Sequence, residues 1–204
     1  MKINKIFIWL FCLSLLIILT GCNNENNQFE SKDKEEKVAQ TMEKEDKILI
    51  VYFSQTGTTK KVSTYMNELL AADLLELKPI IPYTEDDIEY FTNGRADREQ
   101  QDKNARVMIS NLPDSIEQYD IILLGYPIWH GEAPRIIDTF IESFDFSNKT
   151  IIPYCTSHSS SFGSSDTYLK ESANQANWIE GKRFSPDITK REIEEWFKDL
   201  GLIK

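Results

Sequence analysis

Three short stretches hold most of the residues suited to binding or chemistry. The first, SQTGTT at residues 54–59, follows the apolar run KILIVYF and precedes helix-forming sequence. Ser54, Thr56, Thr58 and Thr59 supply hydroxyls, Gln55 an amide, and Gly57 lets the backbone turn. The free amides of the following helix then point into the turn, a place that can bind phosphate. On its residues alone the turn could equally be a Ser/Thr-rich helix cap. It lacks both the Gly-Lys-Ser/Thr ending of nucleotide-hydrolysing phosphate loops and the spacing of a dinucleotide fingerprint. The second stretch, GYPIWHGEAP at 125–134, offers Pro127, Ile128, Trp129, His130 and Gly131 to a flat ring. The third, YCTSHSSSFGSS at 154–165, offers Thr156, Ser157 and His158, and after them residues 159–163, to the polar edge of a heterocycle.

Each of these residues also has a plainer role. Trp129 could pack inside a small core of its own loop, although its place after a strand-end proline favours ligand contact. His130 and His158 are the only histidines, and neither has a Cys or His at metal-ligand spacing, so no metal site is expected. Both read as loop hydrogen-bonders rather than general acids, and Cys155 as a buried apolar residue rather than a nucleophile.

The elements that must position these stretches follow from hydrophobic pattern. Residues 48–53 and 121–126 are unbroken apolar runs of the kind that form central parallel strands covered on both faces. Residues 73–78 and 150–155 give two shorter strands, the second containing Pro153, and 178–184 a last one. Val62, Met66, Leu69 and Leu70 mark a first helix, and Ile137, Phe140, Ile141 and Phe144 a second entered at Pro134. A weak helix is expected over 164–174. A closing one carries Ile193, Trp196, Phe197 and Leu200 and is capped by Ser185 and Pro186. Residues 80–104 mix Tyr83, Tyr90 and Phe91 with seven acidic residues and lack a sustained period; they read as a surface excursion, with a loop of short helices lying near the ligand as the alternative, and carry no assigned chemistry. Strands separated by helices imply an α/β parallel sheet whose ligand lies outside the carboxyl ends of the strands. All three polar stretches fall there.

In that order and at those positions, SQTGTT, GYPIWHGEAP and YCTSHSSSFGSS together resemble the flavodoxin-like domain family, in particular members with a GYPIW-type loop. The similarity spans nearly all of residues 47–204. It implies a three-layer sandwich around a five-stranded parallel sheet of order 2-1-3-4-5, and bound FMN. By that resemblance Ser54, Gln55, Thr56, Gly57, Thr58 and Thr59 hold the phosphate. Pro127, Ile128, Trp129, His130 and Gly131 follow the ribityl chain and isoalloxazine, and Thr156, Ser157 and His158 reach the pyrimidine edge. The third loop departs from the family pattern: His158 and three serines stand where glycines are common, and serine resists conformations that glycine allows.

Ahead of this domain, residues 1–5 carry two lysines and residues 6–20 are almost wholly apolar, short for a membrane span and suited to a signal peptide. Leu19, Thr20 and Gly21 before Cys22 resemble a bacterial lipobox, which implies a signal of residues 1–21 and a lipid on Cys22; the alternatives are a secretory signal whose cysteine is incidental and an uncleaved anchor. Residues 22–46 then form a polar tether: 23–46 hold eight acidic residues and four lysines, too little apolar surface to offset chain entropy. Cys155 is the only cysteine left in the domain, so its stability must come from the core.

The formal charge is −10, or −12 once Lys2 and Lys5 leave with the signal. That argues against nucleic acid as a partner. The leading expectation is a lipid-anchored, extracytoplasmic FMN protein that carries electrons or reduces a small acceptor such as a quinone, with a redox partner protein or reduced nicotinamide as donor. An NAD(P)H-dependent quinone reductase and a cofactor-free surface-binding lipoprotein remain as alternatives. Oligomeric state is left open.

Overall fold

The computed structural model describes residues 46–204. The chain divides into two units, Met1–Lys44 and Glu45–Lys204, and the described residues lie in the second. The signal, Cys22 and tether expectations fall outside the described residues. Among the described residues no helix is long and apolar enough to cross a membrane.

Apolar side chains on both faces of β1 (Ile48–Tyr52), β3 (Ile121–Pro127) and β4 (Thr150–Thr156) force these strands into the middle of a parallel sheet. β2 (Asp73–Glu76) pairs with β1 in register Leu49↔Asp73 to Tyr52↔Glu76, and β1 pairs with β3 from Ile48↔Ile121 to Tyr52↔Gly125. Two short strands, β5 (Asn177–Trp178) and β6 (Lys182–Phe184), both pair with β4 and share the fifth position. The order is therefore 2-1-3-4-5, as expected, with the fifth strand broken. The break has a cause in β4. Asn177 and Ile179 donate to the carbonyls of Lys149 and Ile151, and Ser157 donates to Phe184, so alternate β4 residues face this edge. Pro153 is one of that set, and it has no N–H to give.

Helices α1 (Thr58–Leu70) and α5 (Lys190–Asp199) cover one face. Their Val62, Met66, Ile193, Trp196 and Phe197 pack on Ile50, Leu123, Ile152 and Tyr154. Helices α2 (Arg95–Gln101), α3 (Arg135–Glu142) and α4 (Thr167–Ser172) lie on the other, where Leu49, Val51, Phe53, Ile122, Leu124 and Tyr126 meet Ile136, Ile137, Phe140, Ile141 and Leu169. Each such side chain contributes roughly 1.5–3 kcal/mol on full burial. The closing helix begins later than its sequence suggests. Its cap is Thr189, in a capping box with Glu192, because that pair satisfies the N-terminal amides reciprocally. Ser185 and Pro186 lie before the helix, and Pro186 serves elsewhere.

Close to the site, β3 is held by an unusual contact. The Tyr154 ring lies flat against Gly125, where a β-carbon would stand 2.5 Å from Cε2 and nearer still to Cζ and the phenolic oxygen. That oxygen bonds Ser63 Oγ at 2.7 Å, and Ser63 Oγ also donates to the Thr59 carbonyl at 2.7 Å. The first turn of α1 is thus tied through Ser63 to Tyr154 of β4, on the face that the helix covers.

Candidate functional site

At the carboxyl ends of β1, β3 and β4 the loops enclose a cleft of about 660 Å³. The first loop brings Ser54, Gln55, Thr56, Thr58 and Thr59 to its wall, the second Pro127 to Gly131, the third Thr156, Ser157 and His158 together with Ser159 and Ser160. Of the fourteen predicted binding residues only Gly57 is not on the wall. It is the N-cap of α1 with φ 88°, a left-handed conformation that glycine adopts without strain, and it turns the chain into the helix.

No side chain caps α1. The hydroxyls that could have done so are left for another partner: those of Ser54, Thr56 and Thr58 bond no protein group among the described residues. The amides of the first helical turn likewise have no intrahelical acceptor, and no carboxylate lies in that turn to repel an anion. Thr59 Oγ1 instead meets Thr156 Oγ1 at 2.8 Å, a buried bond that fixes the first loop against the third. This donor set suits a phosphate monoester.

Trp129 reaches the cleft, but most of its ring belongs to the core. It is 8% exposed and stands edge-on to Phe53 at 5.4 Å and to Tyr83 at 5.3 Å. Loop packing and cleft lining are therefore both served by the same residue. Its neighbours close a tight turn: the Trp129 and Glu132 amides donate to each other's carbonyls at 3.0 Å, with His130 (φ 50°) and Gly131 (φ 84°) at the tip.

The 80–104 segment is no surface excursion. Ile88, Tyr90 and Phe91 form a wall of the cleft, and the residues behind them brace the second loop. Tyr90 donates to the Ile128 carbonyl at 3.2 Å, and Gln55 Nε2 to the Tyr83 carbonyl at 3.2 Å. Tyr83 also bonds Glu99, and burial, with that carboxylate, raises its phenol far above the ordinary value. Gln100 Nε2 donates to the carbonyls of Trp129 and Ala133, each at 3.2 Å. Arg135, 2% exposed, donates from Nη2 to Glu132 at 2.7 Å and to the Gln100 carbonyl at 2.9 Å, and from Nε to the Glu99 carbonyl at 3.3 Å. Sequence reading allowed this segment a place near the ligand only as its second choice, and it named none of Ile88, Tyr90, Phe91 and Pro186 as lining residues. The aromatics out of period in an acidic segment were the available sign.

His130 is the loop hydrogen-bonder expected of it, and its partner is a buried carboxylate: Nε2 lies 2.7 Å from Asp97 Oδ1. Cys155 is fully buried, and burial pushes its thiol up to about 12, so it is protonated and inert at neutral pH. Among the described residues no cluster of His, Cys, Asp or Glu is placed to hold a metal.

With this geometry in hand, a family model for flavodoxin matches residues 47–200. The chain belongs to the flavodoxin family. Two solved structures, both described as candidate flavoproteins, resemble this flavodoxin-family chain over almost their whole length. The one from Bacteroides eggerthii is 36% identical over 78% of this chain and 99% of its own, with a TM-score of 0.71. The one from Bacteroides uniformis is 35% identical over 76% and 99%, with a TM-score of 0.72. A flavoprotein from Lactobacillus acidophilus, solved in complex with FMN, is 22% identical over 74% and 98%, with a TM-score of 0.54, and shares the flavodoxin fold. None of the curated proteins matches the chain.

Proposed function

We propose that this flavodoxin-family chain binds FMN in the cleft and acts as an electron carrier or a reductase of a small acceptor. The observation that carries the reading is the convergence of three strand-end loops of complementary chemistry on one cleft of about 660 Å³, within the rough 300–1,000 Å³ range of cofactor sites. The hydroxyls of Ser54, Thr56 and Thr58 and the first-turn amides of α1 hold the phosphate. The second loop, with Tyr90 and Phe91, borders the isoalloxazine, and Thr156, Ser157 and His158 take its polar edge. Bound FMN supplies reversible one- or two-electron transfer, while the protein positions it and excludes side reactions. The FMN complex of the Lactobacillus acidophilus protein supports this reading.

Adding FMN to the purified chain should sharpen the flavin bands, and the bands should bleach reversibly on reduction. Thr58→Glu puts a carboxylate in the phosphate turn and should weaken FMN binding by about 30-fold or more, while leaving riboflavin, which has no phosphate, far less affected. A chain that leaves the FMN spectrum unchanged would sink the redox reading and favour the cofactor-free, surface-binding one.

The same proposal places the domain at the extracytoplasmic face of the membrane, tethered by a lipid on Cys22. The lipobox-like Leu19 to Cys22 and the polar stretch after it support that placement. Cys22→Ser should move the chain from the membrane to the soluble fraction of fractionated bacterial cells. Retention of the variant in the membrane would argue instead for an uncleaved anchor.

A further inference from the structure

We propose that His130, seated on Asp97, is the proton donor for two-electron reduction of a flat, quinone-class acceptor at the mouth of the cleft. The inference rests on the FMN reading above and deepens it.

The chain as a whole is strongly acidic, yet among the described residues the cleft wall carries no Asp, Glu, Lys or Arg. Its titratable groups are Tyr90, His130 and His158. The Tyr90 hydroxyl proton is engaged on the Ile128 carbonyl at 3.2 Å, and burial, reinforced by the Asp97 charge, raises the phenol above its ordinary value. His158 is exposed and bonds no protein group among the described residues. His130 alone has a carboxylate behind it. That carboxylate, Asp97, is 3% exposed and takes the Asn93 amide on its second oxygen at 3.0 Å. Burial acts to raise its pKa, but the bonds from His130 and the backbone outweigh it, and the group stays below its ordinary value and charged.

This arrangement divides the work of the two ring nitrogens. Asp97 occupies Nε2 and leaves Nδ1 without a bond to any protein group among the described residues. The two Trp129–Glu132 backbone bonds close the turn that carries the ring, and the Asp97 bond holds the ring itself. Its side chain is 26% exposed, enough to recover a proton from water. Around it stand Tyr90 at 5.2 Å and Phe91 at 5.9 Å, and Phe91 is 89% exposed. Two aromatic rings that border the flavin site and stand beside a proton donor suit a planar acceptor.

A quinone needs what this corner offers. It takes a hydride, two electrons and one hydrogen, from anionic reduced FMN at one oxygen, and its other oxygen takes the Nδ1 proton of His130. The products are hydroquinone, oxidised FMN and neutral imidazole still bonded to Asp97, and the ring is reprotonated from solvent. Transfer of a lone electron would use no such donor.

The test uses the FMN-loaded full chain, reduced anaerobically with dithionite and mixed with either 1,4-benzoquinone or ferricyanide, a one-electron acceptor that takes no proton. His130→Asn keeps a residue type at home in the left-handed turn, and Asp97→Asn keeps the acceptor for Asn93. Both variants should lose about a hundredfold more rate with benzoquinone than with ferricyanide. In the chain without FMN, a 15N–1H spectrum should show a slowly exchanging proton on Nε2 of His130. Equal losses with the two acceptors, no loss with benzoquinone, or an Nε2 without its proton would each overturn the proposal while flavin bands persist. Absence of flavin bands in the wild-type chain would instead overturn the FMN reading and the proposal with it.

Discussion

The Arg135→Met chain should be less stable than wild type by about 3–5 kcal/mol in urea unfolding at neutral pH. Arg135 is buried and holds α2 to the N-terminus of α3 through the carbonyls of Glu99 and Gln100 and the carboxylate of Glu132. It also faces Asp138, 4% exposed, at 3.5 Å. Removing the guanidinium strands a buried carboxylate and two carbonyls, which is more damaging than the loss of the pair's own attraction. The deficit should depend on pH. Burial already raises the Asp138 carboxyl above its ordinary value against the pull of Arg135, and the variant lacks that pull. A raised carboxyl favours the fold when protonated and opposes it when charged. The stability gap between variant and wild type should therefore narrow as pH falls through the raised Asp138 value. A gap independent of pH would show that Asp138 is not the group left stranded.

The Gly125→Ala chain should lose about 3 kcal/mol, the upper end of ordinary overpacking, because a methyl group there overlaps the Tyr154 ring. Tyr154 has no room to retreat: it is fully buried, and its hydroxyl is engaged with Ser63. Moving the ring breaks that buried bond as well and loosens the first turn of α1 where phosphate is proposed to sit. The double variant Gly125→Ala, Tyr154→Leu should be more stable than the sum of the single losses predicts, by about 1 kcal/mol or more, as expected for residues in contact. Strict additivity would mean that the methyl group is accommodated by some other movement.

Much of this fold could be read from residue order. β1 and β3 are unbroken apolar runs, and the Val62–Met66 and Ile137–Phe140–Ile141 spacings lie on the helices that cover them. The three loops were legible because small polar residues stop abruptly after those strands. The 80–104 wall was not, and the reason is physical. Helix α2 reads RADREQQ, without an apolar stripe. It is fixed by side chains that bond distant backbone, Gln100 to Trp129 and Ala133, and by Arg135 reaching back to it. Periodicity reports burial of apolar surface and is blind to polar bonds between residues about thirty-five apart in the chain. Asp97 was hidden for the same reason: its partner, His130, lies 33 residues away. Helix α5 starts later than the Ser185 cap predicts because the Thr189–Glu192 box, with two reciprocal bonds, satisfies its first amides.

The broken fifth strand also bears on how copies of this domain behave when crowded together. A sheet edge with a long run of unpaired amides and carbonyls is a template on which a second chain can add a strand. Here that edge offers only two residues in β5 and three in β6 of regular geometry, separated by a gap set opposite Pro153. A proline in an inner strand thus keeps the outer strand short at this edge of the sheet, so the stretch of regular backbone on which a further strand could be added is short there as well.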